Sequence, residues 1–234
     1  MLSLPLFALC LAAVPLACAS DASSMRSPKL NITSLHIGPD PSNPMAPYMM
    51  TERPSSDSPK ALTEIRDRLQ EAHILPDILP PSFMPEFSLS LRYAGLPVSM
   101  GQLLPLNNTV SEPTIEFDAP NGDVFAATIV DPDAPAPARH GYRSYRHFLA
   151  ANLDAQPNST SDVLTTYQAP HLSPNSGAHR YAVIVFRQAK RVDFNPDDVP
   201  RSRVRFDSVQ WAKSHKMSPV AATYFTVQNF ASTS

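Results

Sequence analysis

The chain has 234 residues, a formal net charge of −2 at pH 7 and 43% hydrophobic residues. This length supports one folded domain with an apolar core, and the lack of a dense basic block excludes a nucleic-acid partner. With only 6 glycines, the sequence has no phosphate-cradling glycine-rich loop and no dinucleotide fingerprint. It also lacks the Gly-x-Ser-x-Gly element of many serine hydrolases.

The first 19 residues are typical of a secretory signal peptide. An apolar run from Leu4 to Leu16 is followed by Ala17-Cys18-Ala19, the small-x-small pattern of a cleavage site. The run is too short for a transmembrane anchor. Both cysteines, Cys10 and Cys18, lie in this segment, so we predict a secreted chain without disulfides or cysteine-bound metal.

Residues 20–58 are rich in Ser, Pro, Met and Asn and read as a flexible leader to one domain at residues 59–234. Three Asn-x-Ser/Thr sequons predict glycosylation on the secretory route. They begin at Asn31, Asn107 and Asn158.

The domain starts with a predicted helix from Pro59 to His73, capped by Ser58, because Leu62, Ile65 and Leu69 recur at helical spacing. Strand-like runs follow and alternate with turn residues. They are Ser88–Tyr93, Thr114–Phe117, Val124–Val130, Tyr181–Gln188 and Ala222–Gln228. A second helix is predicted from Arg205 to Lys216, with Phe206, Val209 and Trp211 near the core. The fold class is therefore mainly β with peripheral helices.

The most informative motif is Asp131-Pro132-Asp133-Ala134-Pro135. Proline fixes its own φ and extends the residue before it, so both aspartates are held. Residues two apart on an extended chain share a face, where two carboxylates perturb each other's protonation and one could stay protonated. The alternative is an ordinary polar turn after a strand.

Two histidines lie further along the chain. His147 and His179 would donate hydrogen bonds to an anion or act as bases, and Arg180 would pair with an acid such as Asp133. The alternative places both histidines in purely structural positions. Neither histidine shows short metal-ligand spacing, so we predict no metal and no cofactor.

Three blocks together resemble the phosphatidylethanolamine-binding protein family, and the signal peptide suggests a secreted fungal-type member. The blocks are Thr128–Pro135, Tyr145–Leu153 and Tyr167–Pro170 with Gly177–Tyr181. The resemblance implies a β-sheet fold with a small surface pocket for phosphate-like anions, such as phospholipid head groups. The ligand-binding residues it implies are Asp131, Asp133, Tyr142, Tyr145, His147, Gly177, His179 and Tyr181.

The sequence departs from the family at the pocket rim. Tyr145 stands where most members have tryptophan, and Ala169 replaces a usual glycine. Residues 171–175 replace a Pro-Pro-x-Gly loop, and only residues 229–234 follow the last predicted strand, where many members carry a further helix. We therefore expect a more open rim and a different ligand.

Three functions remain open at this point. The first is a secreted module that binds a small phosphate- or carboxylate-bearing ligand, with a protease as an associated partner. The second is an enzyme of a fungal secondary-metabolite pathway that assists dimerisation of maleic-anhydride units, with His147, His179 and Asp131 as catalytic groups. The third is a structural role with a vestigial pocket.

Overall fold

A computed structural model describes residues 57–117, 123–138, 141–153, 161–174 and 176–230. The predicted signal peptide, almost all of the predicted leader and the sequons at Asn31 and Asn158 lie outside the described residues. In the described part, the helices are α1 (Pro59–Glu71), α2 (Ile74–Asp77) and α3 (Ser208–Ser214). The strands are β1 (Ser90–Tyr93), β2 (Leu96–Val98), β3 (Leu103–Pro105), β4 (Thr114–Glu116), β5 (Val124–Asp131), β6 (Tyr145–Leu153), β7 (Asp162–Thr165), β8 (His179–Gln188) and β9 (Met217–Gln228).

The strands form two sheets. The large sheet has the order β3-β9-β8-β5-β6-β7, and the small sheet has the order β2-β1-β4. Every pairing in the large sheet is antiparallel except that of β3 with β9. The prediction of a mainly β fold with peripheral helices is confirmed.

The large sheet is buried on both faces. On one face, which we call the front, Phe125, Ile129 and Tyr181 join a core that includes Leu91 and Ile115 of the small sheet. On the other face, the back, the alternate residues of the same strands pack against the helices. They include Ala126, Val130, Ala182 and Ile184, against Leu69 of α1 and Trp211 of α3. Burial on both faces explains why β5 and β8 read as continuous apolar runs.

The helix ends are set by caps. The Ser58 side chain accepts a hydrogen bond from the Ala61 amide at 3.2 Å, which confirms the predicted cap of α1. The predicted helix from Arg205 to Lys216 is too long. Its first turn starts only after Asp207, whose carboxylate accepts a hydrogen bond from the Gln210 amide at 2.8 Å. Both predicted end residues, Arg205 and Lys216, have a φ of +59°, which lies outside the helical region.

Strand boundaries also differ from the predictions. β8 begins two residues early, at His179, and β9 begins at Met217 rather than Ala222. The short strands β2, β3 and β7 and the nine-residue β6 were not predicted as strands. No helix in the described part of the chain is long and apolar enough to cross a membrane.

Candidate functional site

The candidate site lies where three neighbouring strands of the large sheet meet at one edge. β5 runs antiparallel to both β6 and β8, so its last residue lies beside the first residues of the other two. Asp131 is opposite Tyr145, and Val130 is opposite Ala182. The topology therefore brings together side chains that are up to 50 positions apart in the sequence: Asp131, Tyr145, His147, His179 and Tyr181.

A β-bulge directs His147 to the front of the sheet. Ile129 pairs with Phe148, but the next residue of β5, Val130, pairs with Arg146, so His147 is the extra residue on β6. A bulge of this kind interrupts the alternation of faces. Arg146 then lies at the back, over the Phe206 ring at 4.5 Å, while the His147 ring contacts the Tyr181 ring at the front, with centroids 5.1 Å apart.

His147 is held by the backbone of Gln168. Its Nδ1 lies 2.6 Å from the Gln168 carbonyl oxygen, and the Gln168 amide donates to the His147 carbonyl at 2.9 Å. A carbonyl only accepts, so Nδ1 carries the hydrogen and Nε2 of the neutral ring presents a lone pair. Burial lowers the pKa of His147, and Arg203 and His179 lower it further, against the opposing effects of the Gln168 carbonyl and Asp131. The ring is therefore neutral at pH 7.

His179 is held by a carboxylate instead. Its Nδ1 lies 2.9 Å from Oδ2 of Asp131, and both side chains are almost fully buried. The other oxygen, Oδ1 of Asp131, accepts from the Asp133 amide at 2.7 Å. Nε2 of His179 is buried and has no hydrogen-bond partner among the described residues. The Asp131–His179 pair thus fixes the ring and leaves its second nitrogen free to meet a ligand.

Two tyrosines complete the site. The Tyr181 hydroxyl is buried and makes no hydrogen bond of normal geometry to any described residue. Burial raises the pKa of Tyr181 well above its usual value, and nearby Asp131 raises it further, so the hydroxyl remains a donor. The Tyr181 ring stacks on Phe225. Tyr145 lies beside His147, with ring centroids 4.9 Å apart, and its hydroxyl donates to Oε1 of Gln168 at 2.9 Å.

Asp133 has a different environment from Asp131. Both of its carboxylate oxygens accept from Arg180, at 2.9 Å and 2.7 Å, which confirms the predicted pairing. Although burial raises the pKa of Asp133, the hydrogen bonds from Arg180 outweigh it and lower the pKa. Asp133 is therefore not the carboxyl that could stay protonated and donate to an anion, and its ligand-binding role stays a prediction. Arg180 also reaches Asp77 of α2 at 3.0 Å, and Asp77 pairs with Arg143. This Arg180 network holds the loop after β5.

Gly177 and Tyr142 occupy less central positions. Gly177 has φ of +90°, a conformation that L side chains rarely adopt, and it lies two residues before His179. Tyr142 is half exposed, and within the described residues no side-chain hydrogen bond or ring contact joins it to the two histidines. Asn107 is exposed, but the Thr109 hydroxyl of its sequon is bonded to the Leu106 carbonyl at 2.7 Å and buried.

Sequence reasoning missed two residues of the site, Gln168 and Arg203. Gln168 lies inside one of the blocks that carry the family resemblance, whereas Arg203 lies outside all of them. Gln168 acts through its own backbone carbonyl, and the Arg203 side chain acts on the backbone carbonyls of other residues. Neither kind of contact leaves a pattern in the sequence. Among the described residues, no group of three or more His, Cys, Asp or Glu side chains could hold a metal ion.

The fold and the site define a β-sheet protein with two fixed histidines and a buried carboxylate at one edge of the sheet. The sequence matches the phosphatidylethanolamine-binding protein family over residues 94–225. This is more than half of the chain, which therefore belongs to that family. The relatives include Protein TWIN SISTER of FT from Arabidopsis thaliana, 30% identical over 166 residues that cover 70% of this chain and 91% of that protein. Protein FLOWERING LOCUS T, also from Arabidopsis thaliana, is 29% identical over 167 residues, with coverage of 70% and 92%.

Solved structures agree with the fold. The carboxypeptidase Y inhibitor, seen in complex with its cognate proteinase, is 26% identical with a TM-score of 0.64. That match covers 72% of this chain and 96% of the inhibitor. A phosphatidylethanolamine-binding protein from Plasmodium vivax has a TM-score of 0.58 at 21% identity, over 70% of this chain and 97% of its own, and supports the fold alone.

Proposed function

We propose that the protein binds a small phosphate- or carboxylate-bearing ligand, of the phospholipid head group type, between His147, His179 and Tyr181. The observation that carries this proposal is that two buried polar atoms, Nε2 of His179 and the Tyr181 hydroxyl, make no hydrogen bond of normal geometry with the described residues. A buried polar atom without a partner costs about 1–3 kcal/mol, so a ligand that completes the hydrogen bonds recovers free energy. An anionic oxygen accepts from the tyrosine and from a protonated imidazole.

The rest of the site suits such a ligand. The Asp131 carboxylate holds the His179 ring at Nδ1, so Nε2 is the nitrogen that meets the ligand. Tyr145 and Tyr181 flank His147 on either side and present aromatic faces with polar tips. The bound species is thus a compact anion with an aromatic wall beside it, rather than a long acyl chain or a nucleotide.

Calorimetric titration with phosphorylethanolamine, inorganic phosphate and maleate tests the proposal. We expect saturable binding that strengthens as the pH falls toward the lowered pKa of His147, because protonation of that ring adds a donor. His179→Ala removes the hydrogen-bonding group at Nε2 and should weaken binding by about tenfold or more. The matched control is His73→Asn, since His73 is exposed and in a left-handed conformation that Asn tolerates. Equal affinity in wild type and His179→Ala would refute the proposal.

The second candidate is the enzyme that assists dimerisation of maleic-anhydride units. It is favoured by one observation: a carboxylate–histidine pair lies beside a second, neutral histidine whose Nε2 is left for proton abstraction. In this reading His147 or His179 removes a proton, and the remaining donors stabilise the resulting oxyanion. Purified protein incubated with a maleic-anhydride monomer should give dimer above the buffer control, and His147→Gln should abolish it. Dimer formation equal to the buffer control excludes this function.

A protein partner is the third element of the proposal. The similarity to the carboxypeptidase Y inhibitor supports a carboxypeptidase as that partner. An inhibition assay with carboxypeptidase Y tests it directly, and undiminished peptidase activity at saturating protein counts against it.

We also propose that the chain is secreted and glycosylated. Amino-terminal sequencing and glycosidase treatment of protein from the culture medium would test both points.

A further inference from the structure

We propose that Arg203 is the positioning residue of this site: its guanidinium clamps the bulge that aims His147 and places a positive charge beside that residue. The consequence for the ligand rests on the proposed function. The effect on His147 itself does not, because it concerns the free protein.

The first support is the set of hydrogen bonds that Arg203 makes. Its Nη1 donates to the His147 carbonyl at 3.1 Å and lies 3.4 Å from the Arg146 carbonyl. Its Nη2 donates to the Thr166 carbonyl at 3.0 Å, two residues before Gln168. In addition, the Arg203 carbonyl accepts from the Arg146 amide at 2.8 Å.

These bonds satisfy the part of β6 that the bulge disturbs. A bulge leaves backbone groups without regular ladder partners, and buried backbone groups require partners. Arg203 supplies them on both sides of the extra residue. It also ties the bulge to the segment whose Gln168 carbonyl holds the His147 ring. One side chain thereby fixes the direction and the tautomer of His147.

The second support is charge. In the described part of the chain, no carboxylate lies within ion-pair distance of Arg203 or Arg146. Arg146 is almost fully buried, and among the described residues its Nε and Nη1 have no hydrogen-bond partner. Burial lowers the pKa of Arg146 to about 10, and the charge of Arg203 contributes to this shift, so Arg146 remains positive at neutral pH. Within the described residues, the charge that Arg203 places beside His147 is therefore not neutralised by a carboxylate.

The titratable groups around His147 oppose one another. Asp131 on β5 favours the imidazolium, and His179 on β8 and Arg203 disfavour it. The remaining ionisable neighbours are Tyr145 and Tyr181, which contact the ring, and Arg146, which precedes it in β6. Removing the Arg203 charge should tip this balance toward protonation. Conversely, an anion that binds near His147 offsets the positive charge of Arg203, so its binding should be accompanied by proton uptake at His147.

Histidine NMR titration of the ligand-free protein tests the proposal. In Arg203→Met, we expect the His147 pKa to rise measurably and its Nδ1–H signal to lose its hydrogen-bonded shift, because charge and clamp are both lost. In Arg203→Lys, the positive charge stays, but the hydrogen bonds from two guanidinium nitrogens to two different carbonyls are lost. The His147 pKa should therefore remain low, while its Nδ1–H signal should change. Arg201→Met is the matched control, since Arg201 is 92% exposed and two residues away.

The outcomes separate this inference from the proposed function. An unchanged His147 pKa in Arg203→Met overturns the inference whether or not the protein binds anions. If Arg203→Met does not fold, the Lys variant still decides: a rise of the pKa to the ordinary histidine value in that variant also overturns it. A wild-type protein that binds no anion refutes the proposed function but leaves the titration result standing. If anions do bind, calorimetry in buffers of different ionisation enthalpy should show proton uptake that decreases in Arg203→Met.

Discussion

The two arginine clusters at the functional edge of the sheet differ in how their charges are balanced. At the loop after β5, Arg180 has two acidic partners, Asp133 and Asp77, and Asp77 also pairs with Arg143. Beside β6, and counting the described residues alone, Arg146 and Arg203 bond only to backbone carbonyls, the Thr166 hydroxyl and an aromatic face. The difference teaches that similar side chains serve different ends: the Arg180 network stabilises a loop, whereas Arg203 leaves positive charge beside His147.

The largest effect is expected when the balanced cluster is broken. Arg180→Met leaves Asp133 buried without its cation, and losing one partner of a buried pair typically costs on the order of 3 kcal/mol. We expect the free energy of unfolding, measured by urea denaturation, to fall by about that amount. The control is Asp197→Asn, because the Asp197–Arg201 pair is almost fully exposed and should contribute little. Equal losses of unfolding free energy in the two variants would show that the Arg180 network stabilises the fold no more than an exposed ion pair does.

The second effect concerns pH. The pKa of His147 is lowered in the folded state from its ordinary value of 6.5, first by burial. The unfolded chain therefore takes up the proton at higher pH than the folded one. Stability due to the neutral ring is complete above pH 6.5 and is lost as the pH falls through the lower, folded pKa. Melting temperatures across this range should fall less steeply in His147→Gln. Parallel pH profiles for wild type and variant would contradict this.

A smaller effect is expected in the unbalanced cluster. Arg146→Met removes a buried guanidinium that has no acidic partner, and replacing buried charge with an apolar side chain is often neutral or stabilising. Loss of the hydrogen bond to Pro200 opposes that gain. We expect the free energy of unfolding to change by less than about 1 kcal/mol. A loss as large as that in Arg180→Met would erase the distinction between the clusters.

The smallest effect is expected for Gln168→Ala. The bonds of Gln168 to His147 use backbone atoms and survive the substitution, whereas the side-chain bond to Tyr145 is lost. That bond is exposed, so stability should change by less than about 0.5 kcal/mol. The NMR signals of His147 should stay in place while those of Tyr145 shift. A large displacement of the His147 signals would mean that the side chain, and not the backbone, holds the ring.

Local rules predicted some elements well. Ser58 followed by Pro59 placed the start of α1, and the apolar runs placed the centres of β5 and β8. The same rules failed where the chain depends on distant partners. β7 pairs only with β6, and β3 pairs with β9 more than 100 positions away. Short strands of this kind have little pattern of their own, so the neighbouring strand decides whether they form.

For the site, the sequence alone determined which groups were available: two aspartates held by prolines, two histidines, several tyrosines and an arginine able to pair with Asp133. The tertiary structure alone decided their use. The antiparallel register brought Asp131 to His179, the bulge turned His147 to the front, and Arg203 reached its backbone from a distant segment. The physical reason is that hydrogen bonds to backbone atoms and the register of a sheet depend on geometry, and side-chain type does not encode either.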